Sequence, residues 1–213
     1  MTGAAGSEYQ YTDAAVPHTA AYLYPTVFAE LDRACPPGGD RRVLDLGCGN
    51  GSLAAALAAR GFDVTGVDAS ESGIAVAKTA HPGDRIAFHV GSCYDDLAGR
   101  FGRYPAVVSL EVVEHVYYPR KFAACVADLL RPGGTLILST PYHGYWKNLA
   151  MAVTGKMDAH FTALWDHGHI KFWSVKTLTT LLTEAGLDVV RFHRVGRLPA
   201  LAKAMIAVAR RPR

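Results

Sequence analysis

The segment from Val43 to Ser70, VLDLGCGNGSLAAALAARGFDVTGVDAS, constrains the fold more than any other part of the chain. An apolar stretch leads into three closely spaced glycines, then an alanine-rich stretch, then a second apolar stretch that ends in Asp68. Glycine lets the backbone turn tightly after a strand, and alanine favours a helix. The segment therefore predicts a strand–helix–strand unit with parallel strands.

The same alternation continues along the chain. Strands are predicted at 43–46, 63–67, 86–90, 105–110, 135–139 and 187–192, and helices at 51–60, 71–79, 119–130 and 175–185. Strands separated by such helices indicate a mostly parallel sheet with both faces covered. The final KAMIAVARR is predicted as a seventh strand, and its short link to the preceding strand favours an antiparallel hairpin at the sheet edge.

The expected fold class is therefore α/β: a Rossmann-like, doubly wound sheet of seven mostly parallel strands with an antiparallel C-terminal edge strand. A chain of 213 residues, half of them hydrophobic, suits one domain, 1–213. Within it we expect an N-terminal lid or helix at 1–35, with an amphipathic helix over about 20–34. Residues 142–173 exceed what a crossover needs and are predicted to be an insertion on the substrate side.

Charge and cysteine content exclude several classes. A net charge of +3 provides no basic surface for nucleic acid, so no nucleic-acid partner is expected. Four cysteines without a CxxC pair, and no recognisable secretory leader, favour reduced thiols and a cytoplasmic location. The sequence shows no uncharged apolar run of about 18 residues, so no membrane span is expected.

The glycines and Asp68 together predict a nucleoside ligand. Glycines after a first strand let a ligand approach the backbone, and the next helix points its free N–H groups into the same space. An acid that ends the adjacent strand lies within reach of a ribose diol. A dinucleotide site would continue to a further glycine, where this chain has Ser52, which weighs against a nicotinamide enzyme.

VLDLGCGNG and VDAS resemble the first two cofactor motifs of class I S-adenosylmethionine-dependent methyltransferases. The resemblance extends over about residues 40–210, through GSCYDDL, SLEVVEH, LLRPGG and AGL. It implies S-adenosylmethionine as cofactor, with Asp45, Gly47 and Gly49 at its methionine end. Asp68 would then bind the ribose, and Ala69 would lie beside the adenine. The other residues predicted to bind the cofactor are Gly51, Ser92, Cys93, Glu111 and Tyr11.

SLEVVEHVYYP places Glu111, Glu114 and His115 just after the fourth strand, on one face if the segment is helical. Methyl transfer to a phenol needs a base or a metal, because a phenol with a pKa near 10 is mostly protonated at pH 7. His115 is the predicted base, with a pKa raised by the two carboxylates. The predicted catalytic residues are His115, Glu114, His143 and His169.

The E-x-x-E-H run, with STPY after the next strand, resembles the ubiquinone-biosynthesis O-methyltransferase branch. That resemblance leaves open a divalent ion, Mg²⁺, held by Glu111, Glu114 and His115, although no metal is required by the residues themselves. It also implies peripheral membrane contact through 142–165, where Trp, Tyr and Lys stand beside apolar residues. A lid that closes over a flat, partly apolar acceptor is equally consistent with this insertion.

The predicted function is methylation of a small molecule, most plausibly O-methylation of a phenolic or catechol hydroxyl. N- or C-methylation of a small molecule, a nucleic-acid or protein methyltransferase, and a non-catalytic cofactor-binding subunit remain open. A protein methyltransferase would normally add a recognition domain, and one acting on a planar amine an N-P-P-Y-type motif, where this chain has SLEVVEH. Either a monomer or a homodimer is consistent with the sequence.

Overall fold

The computed structural model describes residues 9–213, so the first eight residues of the predicted N-terminal segment lie outside the described part. The seven strands are β1 (Arg42–Leu46), β2 (Asp63–Asp68), β3 (Ile86–Val90), β4 (Tyr104–Leu110), β5 (Leu130–Pro141), β6 (Asp188–Val195) and β7 (Ala204–Arg210). The helices are α1 (Ala20–Ala34), α2 (Ser52–Ala58), α3 (Glu71–Ala80), α4 (Leu97–Phe101), α5 (Pro119–Leu129), α6 (Tyr145–Val153), α7 (Met157–Phe161) and α8 (Val175–Glu184).

The strands form one sheet in the order β3-β2-β1-β4-β5-β7-β6. The first five strands are parallel, with β1 paired to β2 on one side and to β4 on the other. The chain therefore builds outward from β1 in one direction and then in the other. The carboxyl ends of β1 and β4 meet where the strand order reverses, which is the position where open α/β sheets bind ligands.

The C-terminal hairpin of β6 and β7 is antiparallel and lies at the edge of the sheet, as predicted. Within the hairpin, β7 lies one strand in from the edge, between β5 and β6. Burial explains this placement, because every residue of β7 except Arg210 is buried, whereas most residues of β6 are partly or fully exposed. A mixed, charged strand such as β6 is the better edge because it resists pairing with other chains.

Two apolar clusters cover the two faces of the sheet. One packs Phe122 and Val126 of α5 and Leu178 of α8 against the strands. The other packs Val27 of α1 and Leu57 of α2 against the opposite face. The doubly wound arrangement predicted from the alternating pattern is therefore confirmed.

Three short helices lie outside the predicted alternation of strands and helices. The side chain of Asp96 accepts a hydrogen bond from Gly99 N (2.8 Å) and so begins the five-residue α4. The other two, α6 and α7, lie in the predicted insertion. In residues 9–213, the helices all fall short of the length and apolarity that crossing a bilayer requires.

The last glycine of the loop after β1 packs against the core. Gly51 begins α2 with a φ of 79°, and a Cβ there would lie 2.6 Å from Cζ of Phe88 and 2.9 Å from Cβ of Ala77. Gly61, after the same helix, has a φ of 83° with nothing within 4 Å of an added Cβ. The two glycines thus share a left-handed conformation and differ in the space around them.

We expect Gly51→Ala to lower the free energy of unfolding more than Gly61→Ala does. Each change destabilises the fold by about 1–2 kcal/mol, because alanine is strained in a left-handed conformation. Gly51→Ala adds about 1–3 kcal/mol, because the new Cβ overpacks the core. Urea denaturation of both variants, without cofactor, measures the difference. Equal destabilisation would show that Phe88 yields freely and that packing does not require glycine at position 51.

Candidate active site

A cavity of about 1610 Å³ opens at the carboxyl ends of the central strands. Four sets of residues line it: the loops that follow β1, β2, β3 and β4, the N-terminal segment before and within α1, the insertion between β5 and α8, and the turn between β6 and β7. Nine of the ten predicted cofactor-binding residues are part of its wall: Asp45, Gly47, Gly49, Asp68, Ala69, Ser92, Cys93, Glu111 and Tyr11. Gly51, which packs on Phe88, is absent from the lining among the described residues.

Two features require glycine at positions 47 and 49: the left-handed backbone and the lack of space for a side chain. Gly47 and Gly49 both have left-handed backbones, with φ of 81° and 51°. A Cβ on Gly47 would clash with Val112, and one on Gly49 would lie 2.5 Å from the hydroxyl oxygen of Tyr11. The loop therefore runs tightly between the turn after β4 and the N-terminal segment.

Asp68 ends β2 and accepts two backbone hydrogen bonds. Its Oδ2 accepts from Gly49 N (2.8 Å), and its Oδ1 accepts from Ser70 N (2.8 Å). A carboxylate offers about four acceptor positions, so one such group can serve several donors at once. The acid thus fixes the glycine loop and lines the cavity at the same time.

Asp45, the last polar residue of β1, is buried and only 1% exposed. Burial raises its pKa to about 7, and the nearby charge of Asp68 adds to the shift. Its Oδ2 has no hydrogen-bond partner among the described residues. A buried carboxylate oxygen on a cavity wall without a partner suits a ligand that brings a positive charge.

The N-terminal segment closes over the glycine loop. Tyr11 N donates to Ser72 Oγ (3.0 Å), and Ser70 Oγ donates to the carbonyl of Tyr9 (2.8 Å). The side-chain amide of Asn50 donates to the carbonyls of Asp13 and Ala15. These two bonds attach a later part of the N-terminal segment to the glycine loop.

Asn50 and Ser70, which hold this segment, were not predicted as site residues. Asn50 stands between two glycines of the loop, and its Oδ1 also accepts from Ser52 N (3.3 Å). Ser70 caps α3, and a serine directly before a predicted helix is a recognisable N-cap. Tyr9, Tyr11 and His18 all line the cavity.

Glu111 follows β4 in a left-handed conformation with a φ of 55°, which is uncommon for a residue with a side chain. Its N–H donates to the carbonyl of Ser139 (3.2 Å), and Ser139 Oγ donates to Glu111 Oε1 (2.6 Å). Burial raises the pKa of Glu111 to about 7, against the opposing effects of Ser139 and Lys147. Ser139 and Lys147 were not predicted as site residues.

The segment from Glu111 to His115 is a turn and not a helix, so the expected shared face does not form. Glu114 is 1% exposed and is absent from the cavity lining, and its two carboxyl oxygens have no hydrogen-bond partner among the described residues. Burial, followed by the charge of Glu111, holds its pKa well above the usual range. Burial therefore favours the protonated, uncharged form of Glu114.

The structure brings together a different group from the one proposed for Mg²⁺. Single ligand atoms of Glu114, His115 and His169 lie within 4.8 Å of one another, and Glu111 lies outside this group. One carboxylate and two imidazoles do not fit Mg²⁺, which prefers oxygen ligands in an octahedral arrangement. We therefore derive no step that depends on Mg²⁺.

His115 has a fixed tautomer. Its Nδ1 lies 2.9 Å from the carbonyl oxygen of His167, and since a carbonyl only accepts, Nδ1 carries the proton and Nε2 keeps its lone pair. The expected rise in its pKa is wrong: burial lowers the pKa of His115, and the two backbone carbonyls only partly oppose this. Burial also favours the uncharged form of Glu114, and that form supplies no negative charge to raise the pKa of His115.

The rings of His169 and Trp165 surround His115. The centroid of the His115 ring lies 4.8 Å from that of His169 and 6.3 Å from that of Trp165, and all three residues line the cavity. Burial and the charge of His115 lower the pKa of His169 to about 4. Two neutral imidazoles and an indole therefore form one wall of the cavity at pH 7.

His143 lies apart from the other two predicted catalytic histidines, His115 and His169. It is 7% exposed, it stacks on Phe161 with ring planes 13° apart, and it is absent from the cavity lining among the described residues. Burial lowers its pKa to about 4, and the charge of Lys147 acts in the same direction. The structure thus places one of the four predicted catalytic residues in an aromatic cluster of the insertion, apart from His115.

A glycine loop, an acid at the end of the second strand and a cavity at the reversal of strand order define a nucleoside-binding enzyme of the doubly wound class. The chain belongs to the methyltransferase domain family, whose match covers residues 19–191. It is an S-adenosylmethionine-dependent methyltransferase, and the buried, unpartnered Asp45 oxygen beside Asp68 fits the cationic amino acid end of that cofactor.

Curated relatives agree with this assignment. The chain is 35% identical over 177 residues to the ubiquinone biosynthesis O-methyltransferase of Cereibacter sphaeroides (strain ATCC 17025), covering 79% of this chain and 70% of the relative. It is 32% identical over 160 residues to the protein of that name in Aromatoleum aromaticum, covering 74% and 68%.

Solved structures share the fold. Magnesium protoporphyrin IX methyltransferase from Synechocystis PCC 6803, solved with bound SAH, has a TM-score of 0.65 at 23% identity and covers 88% of this chain and 82% of its own. A putative methyltransferase from Bacillus halodurans C-125 has a TM-score of 0.67 at 17% identity, covering 88% and 100%. At these identities the likeness concerns the fold alone.

We expect S-adenosylhomocysteine to bind more tightly as the pH rises from 6 to 8. Asp45, with a pKa of about 7, is mostly protonated at the lower pH and mostly ionised at the higher one, so its attraction for the ligand's ammonium grows. The affinity should rise about five- to tenfold. Calorimetric titration at several pH values measures this dependence.

Asp45→Asn should remove the pH dependence and weaken binding at pH 8 by about 1.5–3 kcal/mol, the scale of a hydrogen bond to a charged group. Glu111→Gln is the matched control, because the pKa of Glu111 is also raised to about 7 in the same cavity. If the pH dependence survives in Asp45→Asn and vanishes in Glu111→Gln, the ammonium is bound by Glu111 and our assignment is wrong.

Proposed function

We propose that this enzyme methylates a hydroxyl of a small phenol or catechol. The relatives from Cereibacter sphaeroides and Aromatoleum aromaticum are both named ubiquinone biosynthesis O-methyltransferases, which supports an oxygen acceptor. Trp165, Tyr22 and Tyr117 line the cavity and suit a flat acceptor.

The observation that carries this proposal is the state of His115. Ionising a phenol at pH 7 costs about 4 kcal/mol, so a base is needed as the oxygen attacks. When bound, S-adenosylmethionine supplies an electrophilic methyl group on a sulfonium. His115, neutral and with its Nε2 lone pair available, takes the hydroxyl proton in the same cavity that Asp45 and Asp68 line.

Two other contacts keep His115 ready for this role. The carbonyls of His167 and Gly168 hold its Nδ1 proton and so fix the ring. Burial raises the pKa of Glu114, which favours its uncharged form and weakens its pull toward a protonated imidazole. We propose that Glu114 and His169 position His115 and leave the proton transfer to it.

We expect His115→Ala to lower kcat by about 10²-fold or more and to change the affinity for S-adenosylhomocysteine little, since a general base acts mainly in the transition state. His167→Asn is the matched control: it keeps the carbonyl that holds Nδ1, and asparagine tolerates the left-handed backbone (φ 63°) at that position. Mass spectrometry of methylated product from a panel of phenols and catechols measures the rates.

The pH profile of kcat and the effect of EDTA on the rate distinguish a histidine base from a bound metal. Because the pKa of His115 is lowered, its base form persists below pH 6.5, and kcat at saturating cofactor should stay constant down to that pH before it falls. EDTA should leave the rate unchanged. Full activity of His115→Ala would overturn the assignment of the base. Binding of cofactor without turnover of any acceptor would indicate the non-catalytic subunit.

Residues 142–165 expose several apolar side chains, among them Trp146 (64%) and Val153 (79%) of α6. We propose that this surface makes peripheral contact with a membrane. Trp146→Glu should reduce several-fold the fraction of protein that sediments with vesicles of phosphatidylcholine and phosphatidylglycerol. Val190→Glu, at an exposed apolar position of β6, is the control and should not. A homodimer through α6 would instead double the mass in light scattering without vesicle binding.

A further inference from the structure

Lys147 of α6 is a buried lysine that the proposed reaction does not use. It is 8% exposed and lines the cavity. Its Nζ has one hydrogen bond, to the carbonyl of Lys203 at 3.4 Å, although an ammonium has three protons to donate. Burying such a group without partners costs free energy unless a ligand completes its shell.

No carboxylate of residues 9–213 lies within 4.0 Å of Lys147. Glu111 attracts it from a greater distance, and Arg197 repels it. Burial lowers the pKa of Lys147 to about 8, so the side chain still carries its charge at pH 7. The cavity wall thus holds a positive charge that the protein itself does not neutralise at close range.

The basic and the acidic side chains of the cavity wall come from different segments of the chain. Arg197 and Lys203, on either side of the short turn between β6 and β7, line it together with Lys147, and so does Lys156 from the insertion. The lining acids of the described residues belong to other segments, namely Asp13, Asp45, Asp68 and Glu111. Nζ of Lys203 also lies 5.4 Å from the ring centroid of Tyr22, a residue of the same wall.

We propose that the acceptor of this enzyme carries a carboxylate, which binds Lys147 with the support of Arg197 and Lys203. This inference rests on the small-molecule O-methyltransferase function proposed above. The further inference is that the substrate is an acidic phenol. Its carboxylate is recognised by basic residues of the insertion and of the β6–β7 turn. The hydroxyl of such an acceptor is activated by His115, and its carboxylate completes the shell of the buried ammonium.

The cofactor's own carboxylate is the competing occupant. Lys147 belongs to the insertion, and its charge acts on the insertion's His143 and His160. The glycine loop and Asp45, where we place the amino acid end of the cofactor, belong to β1 and the loop after it, and Asp45 is not among the charges that act on Lys147. An acceptor carboxylate therefore accounts for Lys147 better, and the affinity for S-adenosylhomocysteine tests the difference directly.

The experiment compares 3,4-dihydroxybenzoate with 3,4-dihydroxybenzamide, which has the same shape and no charge. We expect the wild type to favour the acid about tenfold or more in kcat/KM, as a charge-assisted hydrogen bond allows. Lys147→Met should reduce this ratio to nearly one, and Arg197→Gln, at an exposed position, should reduce it partly. Lys176→Met, an exposed lysine of α8 outside the cavity, should keep the ratio of the wild type.

Calorimetric binding of the same two compounds to enzyme saturated with S-adenosylhomocysteine gives a readout that needs no turnover. Binding of the acid that depends on Lys147, without methylation of any phenol, would refute the proposed function and support the anion site. Equal binding of acid and amide by the wild type, binding of neither, or a preference that survives in Lys147→Met would overturn the anion site. So would a tenfold loss of S-adenosylhomocysteine affinity in Lys147→Met with the acid preference intact.

Discussion

The cofactor half of the structure depends on the two hydrogen bonds that the Asp68 carboxylate accepts from Gly49 N and Ser70 N. They join the loop after β1 to the loop after β2, so that α2 and α3 both begin at one edge of the sheet. Ser70 in turn donates to the carbonyl of Tyr9, which brings in the N-terminal segment. One carboxylate therefore links three segments, and the shape of the cavity follows from its position.

The acceptor half depends on the turn after β4 in a similar way. The carbonyl of Glu114 accepts from the N–H groups of Ile170 and Lys171, and the indole of Trp173 donates to the carbonyl of Val113 (3.2 Å). These bonds hold the end of the insertion against the turn. As a result the carbonyl of His167 meets the ring of His115, and the tautomer of the base is set by a residue from another element.

Much of the fold was predictable because its signals are local. The glycines, Asp68 and the apolar stretches specify β1, β2 and the loop between them within one short segment. The position of β7 inside the edge strand was not predictable, because it depends on which of two strands is better buried. His169 and the His167 carbonyl reach His115 from residues more than fifty positions away, and spacing in the sequence carries no information about such contacts. The pKa of His115 was misjudged for a related reason: the nearby acids Glu111 and Glu114 were assumed to be ionised, whereas burial raises the pKa of both and favours their uncharged forms.

Burial also gives the cavity its electrostatic character. Asp45 and Glu111 both have pKa values raised to about 7 by burial, so the protein without ligand holds carboxyl groups whose ionisation is costly. A cation beside them makes that ionisation favourable, and S-adenosylmethionine brings two cationic centres, an ammonium and a sulfonium. Methyl transfer removes the sulfonium charge and leaves the ammonium. A carboxylate attracts a ligand with two cationic centres more strongly than a ligand with one, so the electrostatic part of binding favours S-adenosylmethionine over its demethylated product.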